Sequence, residues 1–184
     1  NRPFYQTASP SMDILISSNL ERLLYLLSGS DEAVRGYMAQ LAETGRYTVS
    51  DEIRNAIQAV FSCGFCDDAG TEEMIGAEYK RSGYLLDTHT AVAYRVAEQF
   101  RKADGSGTPM IVASTASPFK FCASVLDALG CEEHRPGTQI IAQLAEVSGK
   151  PAPAPLASLA GKPVRFDGVA DKGAMRAVVT DFLR

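Results

Sequence analysis

The chain has 184 residues, a length that suits one domain or one lobe of a larger enzyme. Its 46% apolar content supports a real core, and 22% charged residues is ordinary for a soluble globular protein. A net charge of -4 with no basic cluster argues against nucleic acid and anionic membrane as partners, and no apolar run spans a bilayer or forms a secretory core, so a cytoplasmic protein is expected.

In chain order, "TASPSMDILIS" is a Ser/Pro turn followed by a short apolar segment. A helix follows, with Leu20, Leu23, Leu24 and Leu27 at helical spacing, Ser18 or Asn19 as its cap and Gly29 as its stop. A second helix is predicted from about Asp31 to Thr44, closed by Gly45. "YTVS" reads as a short strand, and Ser50 caps a helix over "DEIRNAIQAVF". "TEEMIGAEYKRSG" carries acidic residues early and basic residues late, which suits a helix dipole. "YLLD" is a brief strand before the helix "THTAVAYRVAEQFRK". After the linker "ADGSGTP", the continuous apolar run "MIVAS" reads as a strand covered on both faces, and "SPFKFCASVLDALG" as a helix with Pro118 in its first turn. Residues 150–163 form a Pro/Ala-rich connector, and "KGAMRAVVTDFLR" is a closing helix. This alternation predicts an α/β architecture with part of a mostly parallel sheet. The strands are too few for an independent doubly wound domain, and the chain opens as if in a connecting loop, so it reads as a piece of something longer.

Cys63 and Cys66 form a C-x-x-C without a thioredoxin-like context or a second nearby pair, so they read as packed or incidental thiols and no metal site is expected.

Two junctions concentrate polar side chains. "YLLDTHTAVAY" and "MIVASTASPFKF" both pass from an apolar stretch through a polar loop into a helix start. In a parallel sheet both loops would fall at the carboxyl edge, where ligands of such folds bind. They supply Asp87, Thr88, His89 and Thr90 from one side and Ser114, Thr115 and Ser117 from the other. Taken singly, Asp87 and Ser117 read as helix caps and His89 as a structural histidine. Taken together, a hydroxyl at the end of a buried strand can hydrogen-bond a neutral pyridine nitrogen without forcing its protonation, which is how pyridoxal phosphate enzymes tune elimination and replacement chemistry.

The segments "SPSMDILISSNLERLL", "GYLLDTHTAVAY" and "STASPFKF" resemble threonine synthase, and the three blocks stand in that family's order and spacing from Thr7 to the last helix. The resemblance implies part of the large domain of a fold-type II (tryptophan synthase β-like) pyridoxal phosphate enzyme, three-layered with a mostly parallel sheet. It implies conversion of O-phospho-L-homoserine and water to L-threonine and phosphate by β,γ-replacement. By the family pattern Thr115 is the partner of the pyridine nitrogen, with Ser114 the near alternative. Asp87 stands where the tryptophan synthase β subunit has a glutamate beside the cofactor ring. Ser17, Ser18, Asn19 and Arg22 make a helix start with an arginine one turn in, apt for a substrate phosphate. Lys120 is not the Schiff-base lysine, because the family places that residue in its N-terminal half.

"DTH" stands here where the family commonly has D-P-H. The Schiff-base lysine block, the phosphate-cradling loop and the small N-terminal domain are absent from these 184 residues. The N-terminal part of the same enzyme is therefore the expected partner, and the segment alone is expected to be inactive. Two other readings remain open: a sister fold-type II enzyme such as a phosphothreonine lyase or threonine dehydratase, and a non-catalytic α/β binding module, with or without a Cys63–Cys66 redox switch.

Overall fold

The computed structural model describes residues 3–105 and 107–183. Outside them lie Asn1 and Arg2, Ser106 of the expected linker and Arg184 of the expected closing helix. Among the described residues every regular element is helical: α1 Ser18–Ser28, α2 Asp31–Thr44, α3 Asp51–Gln58, α4 Asp68–Ser82, α5 Thr88–Asp104, α6 Cys122–Ala128, α7 Gln139–Ser148, α8 Ala154–Ala157 and α9 Met175–Phe182, joined by short 3-10 turns. None of these helices is long and apolar enough to cross a membrane.

The expected α/β architecture, three-layered with a mostly parallel sheet, is therefore wrong for this chain. A strand exists only through a ladder with a neighbour, and among the described residues "YTVS", "YLLD" and "MIVAS" form no β-ladder. The last was expected to be covered on both faces, yet Ile111 is 98% exposed. "YLLD" is buried by another route: Leu85 and Leu86 drop into a core built by helices.

That core lies among α4, residues 84–87, the start of α5, α6 and α7, and is filled by Met74, Ile75, Phe119, Val125, Leu126 and Leu144. A Cβ on Gly76 would stand 2.7 Å from the Ala128 carbonyl oxygen, so glycine is what lets α4 approach the end of α6. The Tyr79 hydroxyl donates to the Ser148 carbonyl at 2.7 Å and clasps α4 to the end of α7. Gln143 ties down the α6–α7 loop, donating to the Glu133 carbonyl at 2.6 Å and accepting from Arg135 N at 2.8 Å.

α1, α2 and α3 form a second, thinner assembly in which Leu24 and Ile53 are the buried apolar side chains. α2 has the expected bounds, and Ser50 caps α3 by accepting from Ile53 N at 3.4 Å. α4 begins earlier than expected, because Asp67 supplies the cap by accepting from Gly70 N at 2.9 Å. The expected helix after Pro118 is broken into a 3-10 turn, Pro118–Lys120, and then α6. Within the Pro/Ala-rich stretch lie α8 and the turn Ser158–Gly161, and all described residues from 157 to 183, α9 included, are exposed.

Candidate functional site

The start of α5 is set by the core beneath it. Gly83, with φ 72, ends α4 in the left-handed region that glycine adopts without strain, and the chain turns so that Leu85 and Leu86 are buried. Asp87 follows them inside, 1% exposed. A buried carboxylate is tolerable only when its oxygens are satisfied. Its Oδ1 accepts from the backbone N–H of His89 at 2.9 Å and Thr90 at 3.1 Å, and its Oδ2 accepts from the Thr90 hydroxyl at 2.5 Å. The Asp87 carboxylate is thus fully engaged as the cap of α5. Thr88, first residue of the helix, is completely buried and its Oγ1 has no hydrogen-bond partner among the described residues.

The second loop meets this cap. Thr90 Oγ1 lies 3.0 Å from Ser114 Oγ. Three residues on, Ser117 accepts from Phe119 N at 3.3 Å and caps the 3-10 turn, whose Phe119 is anchored in the core. The loop is pinned on either side of Thr115, which is exposed and whose hydroxyl makes no hydrogen bond among the described residues. Asp87, Ser114 and Thr115, picked out from the sequence, therefore stand in one assembly, and Thr90 is the residue that joins its two halves.

A further contact had no local signal in the sequence. Ser9, buried before Pro10, hydrogen-bonds His89 Nδ1 through its hydroxyl, and the His89 ring packs edge-on against Phe121 with centroids 4.7 Å apart. The segment around Ser9 is shaped by Asp13, which accepts from Thr7 N at 2.8 Å and Thr7 Oγ1 at 2.7 Å. It is fixed to α4 by Ala8 N donating to Asp68 Oδ1 at 2.8 Å. His89 thereby holds the amino-terminal segment against the cap of α5.

The expected phosphate residues stand elsewhere. Ser17, not Ser18 or Asn19, is the N-cap of α1, and its side chain makes no capping bond. Arg22 Nη1 donates to Asn19 Oδ1 at 2.5 Å, and both residues are exposed. Ser17 lines an apolar cleft formed by α1, α2 and residues 45–57, with Leu24, Met38 and Leu41 among its walls. Asp87, Ser114 and Thr115 are not part of that cleft. Lys120 is exposed at the end of its turn. Cys63 is exposed, Cys66 half-buried and Cys122 buried, all as free thiols, and burial pushes the Cys122 thiol above its ordinary value.

The chain's resemblances agree with one another. Residues 90–179 match the family described as "Threonine synthase, C-terminal". Threonine synthase of Methylobacillus glycogenes is 38% identical over 135 residues, which cover 72% of this chain and 28% of that protein. Threonine synthase-like 1 of Mus musculus is 37% identical over 134 residues, covering 72% of this chain and 18% of that one. Among solved structures, the PLP-bound threonine synthase from Brucella melitensis superposes with a TM-score of 0.64 at 39% identity, over 82% of this chain and 31% of that chain. Threonine synthase from yeast superposes with a TM-score of 0.80 at 27% identity, over all of this chain and 37% of that one. The chain spans less than a third of the curated relatives named here. With the sequence blocks, the family match and the superpositions all pointing the same way, the chain belongs to the threonine synthase family, within its C-terminal part.

Proposed function

We propose that this chain is the C-terminal part of a pyridoxal phosphate-dependent threonine synthase, which makes L-threonine and phosphate from O-phospho-L-homoserine and water. The observation that carries the reading is the 114–117 loop, braced on both sides around an uncommitted, exposed Thr115 hydroxyl. The donor set suits the cofactor. A neutral pyridine nitrogen accepts a hydrogen bond, and a hydroxyl can donate one without transferring its proton. Asp87, the neighbouring carboxylate that would favour a protonated ring, is already spent on the α5 cap.

When bound, pyridoxal phosphate supplies an electron sink that makes protons on the substrate's carbon chain removable. This chain's residues do the holding. Thr115 donates to the ring nitrogen, Ser114 stands beside it, and Asp87 fixes the start of α5 behind both. The substrate phosphate is proposed for Ser17, Asn19 and Arg22 at the start of α1 on the family resemblance, since these residues stand apart from the Asp87–Ser114–Thr115 assembly and the exposed Arg22 guanidinium presents charge-assisted donors. Turnover is expected of the longer protein, with this segment alone inactive.

The test is a pyridoxal phosphate titration of the full-length protein, read by visible absorbance after dialysis. Retention of a cofactor band that Thr115→Ala shifts or weakens is the expected result. A wild-type protein that retains no cofactor, or a Thr115→Ala band identical to wild type, overturns the assignment.

A further inference from the structure

Which of the two neighbouring hydroxyls can donate to a ligand is decided by where their protons go. Thr90 Oγ1 lies 2.5 Å from Asp87 Oδ2 and 3.0 Å from Ser114 Oγ. A carboxylate only accepts, and a hydroxyl owns a single proton. Thr90 therefore gives its proton to Asp87 and has lone pairs left for Ser114. The contact with Ser114 is a hydrogen bond only if Ser114 is the donor. The order is fixed: Ser114 to Thr90 to Asp87, ending on a carboxylate pinned by two backbone N–H groups. Ending on a charge makes the Thr90–Asp87 bond the short one and polarises the Ser114–Thr90 bond, so the direction resists reversal.

We propose that Thr90 and Asp87 are positioning residues that hold the Ser114 hydroxyl as a hydrogen-bond acceptor toward the ligand, leaving Thr115 as the one donor of the Ser114–Thr115 pair. The inference rests on the pyridoxal phosphate reading and sharpens it. A neutral ring nitrogen is itself an acceptor, so Ser114 cannot serve it while the relay stands. The outward lone pairs of Ser114 suit an N–H or O–H of the ligand instead. Thr90 is buried while Ser114 is exposed, so Thr90 acts on a ligand only through Ser114. It selects which hydroxyl meets the nitrogen.

The experiment compares Thr90→Val, Thr90→Ser, Ser114→Ala and the Thr90→Val/Ser114→Ala double variant in the full-length protein. Each is titrated with pyridoxal phosphate, and both the affinity and the position of the visible band are read, with thermal unfolding alongside. Thr90→Val frees the Ser114 proton to turn outward, so the band should move and the affinity change by roughly threefold to tenfold, the range of one neutral hydrogen bond. Thr90→Ser keeps the relay and should restore the wild-type band. On the Ser114→Ala background, Thr90→Val should add nothing, because its route to the ligand is gone.

A purely structural Thr90 would instead lower stability and affinity equally with or without Ser114, and that result overturns the inference. So does a Thr90→Val band identical to wild type. If Thr90→Val does not fold, the remaining pair decides: Thr115→Ala must move the band further than Ser114→Ala, and the reverse order sinks the proposal. A wild-type protein that retains no cofactor removes the cofactor reading and this inference together. Retention without coupling between Thr90 and Ser114 removes only the inference.

Discussion

The assembly of α4 to α7 and the stretch that follows α8 handle apolar side chains in opposite ways. In the first, Ile75, Val125, Leu126 and Leu144 lose all contact with water. In the second, Val164, Phe166, Val169 and Phe182 are mostly in solvent, Val169 by 97%. Both carry large apolar residues, so hydrophobicity does not separate them. What separates them is crossing: α4 meets α5 and α6, and α6 meets α7, whereas the main neighbour of α9 is the turn just before it. The α5 cap and the 114–117 loop are mounted on the first kind of structure, through Leu86 on one side and Phe119 on the other. That is why two loops without regular structure can hold hydroxyls in a fixed relation.

The comparison is broken most severely at its centre. Leu126 is fully buried in α6, between α4 and α7. Leu126→Ala should cost about 2–5 kcal/mol in urea unfolding of the chain, combining lost transfer energy with a cavity that rigid neighbours cannot fill. A loss below about 1 kcal/mol would mean that the helices close over the gap and that the core is looser than its burial indicates.

The same contrast explains which features could be read from the sequence. Helix starts and stops are local: Ser50, Asp87 and Ser117 each accept from a backbone N–H two or three residues on, and Gly29, Gly45 and Gly83 end their helices where a stop was expected. The three supposed strands failed because apolar content speaks of burial and pairing depends on residues far away in sequence. "YLLD" found burial under helices, whereas "MIVAS" is exposed except for a half-buried Val112. α7 has weak local punctuation: Ile141 and Leu144 recur at helical spacing, but its N-cap Thr138 makes no side-chain capping bond. In the site, the two polar loops were visible as candidates because each stands at a helix start. The Thr90–Ser114 bond and the Ser9–His89 bond were not, because they join residues 24 and 80 positions apart.

A moderate effect is expected where charge meets the edge of the core. Glu78 of α4 is buried although it is ionisable. The Ser82 hydroxyl, donating at 2.6 Å, does most to hold its carboxyl below the ordinary 4.5. Burial opposes that shift, and Arg81, bonded to both carboxylate oxygens, reinforces it. A carboxylate whose folded value is depressed contributes its full stability above the unfolded value and loses it as pH falls through the folded one. Glu78→Gln should therefore destabilise the chain by about 1 kcal/mol near neutral pH, with the difference from wild type shrinking as pH drops below the ordinary carboxylate value. A difference that stayed constant down to pH 3 would mean that Glu78 acts by packing and not by charge.

The smallest effect tests the exposed side of the comparison. Phe182 ends α9 with 82% of its surface in water, and no described residue from 157 onward is better than exposed. An aromatic ring that gains no burial on folding has little to lose when removed. Phe182→Ser should shift the urea midpoint of the chain by less than about 0.5 kcal/mol in equivalent stability, with an unchanged slope. A larger loss would show that α9 docks in solution on a surface it leaves uncovered here. The stretch after α8 would then join α4 to α7 as packed structure, and the contrast between the two regions would disappear.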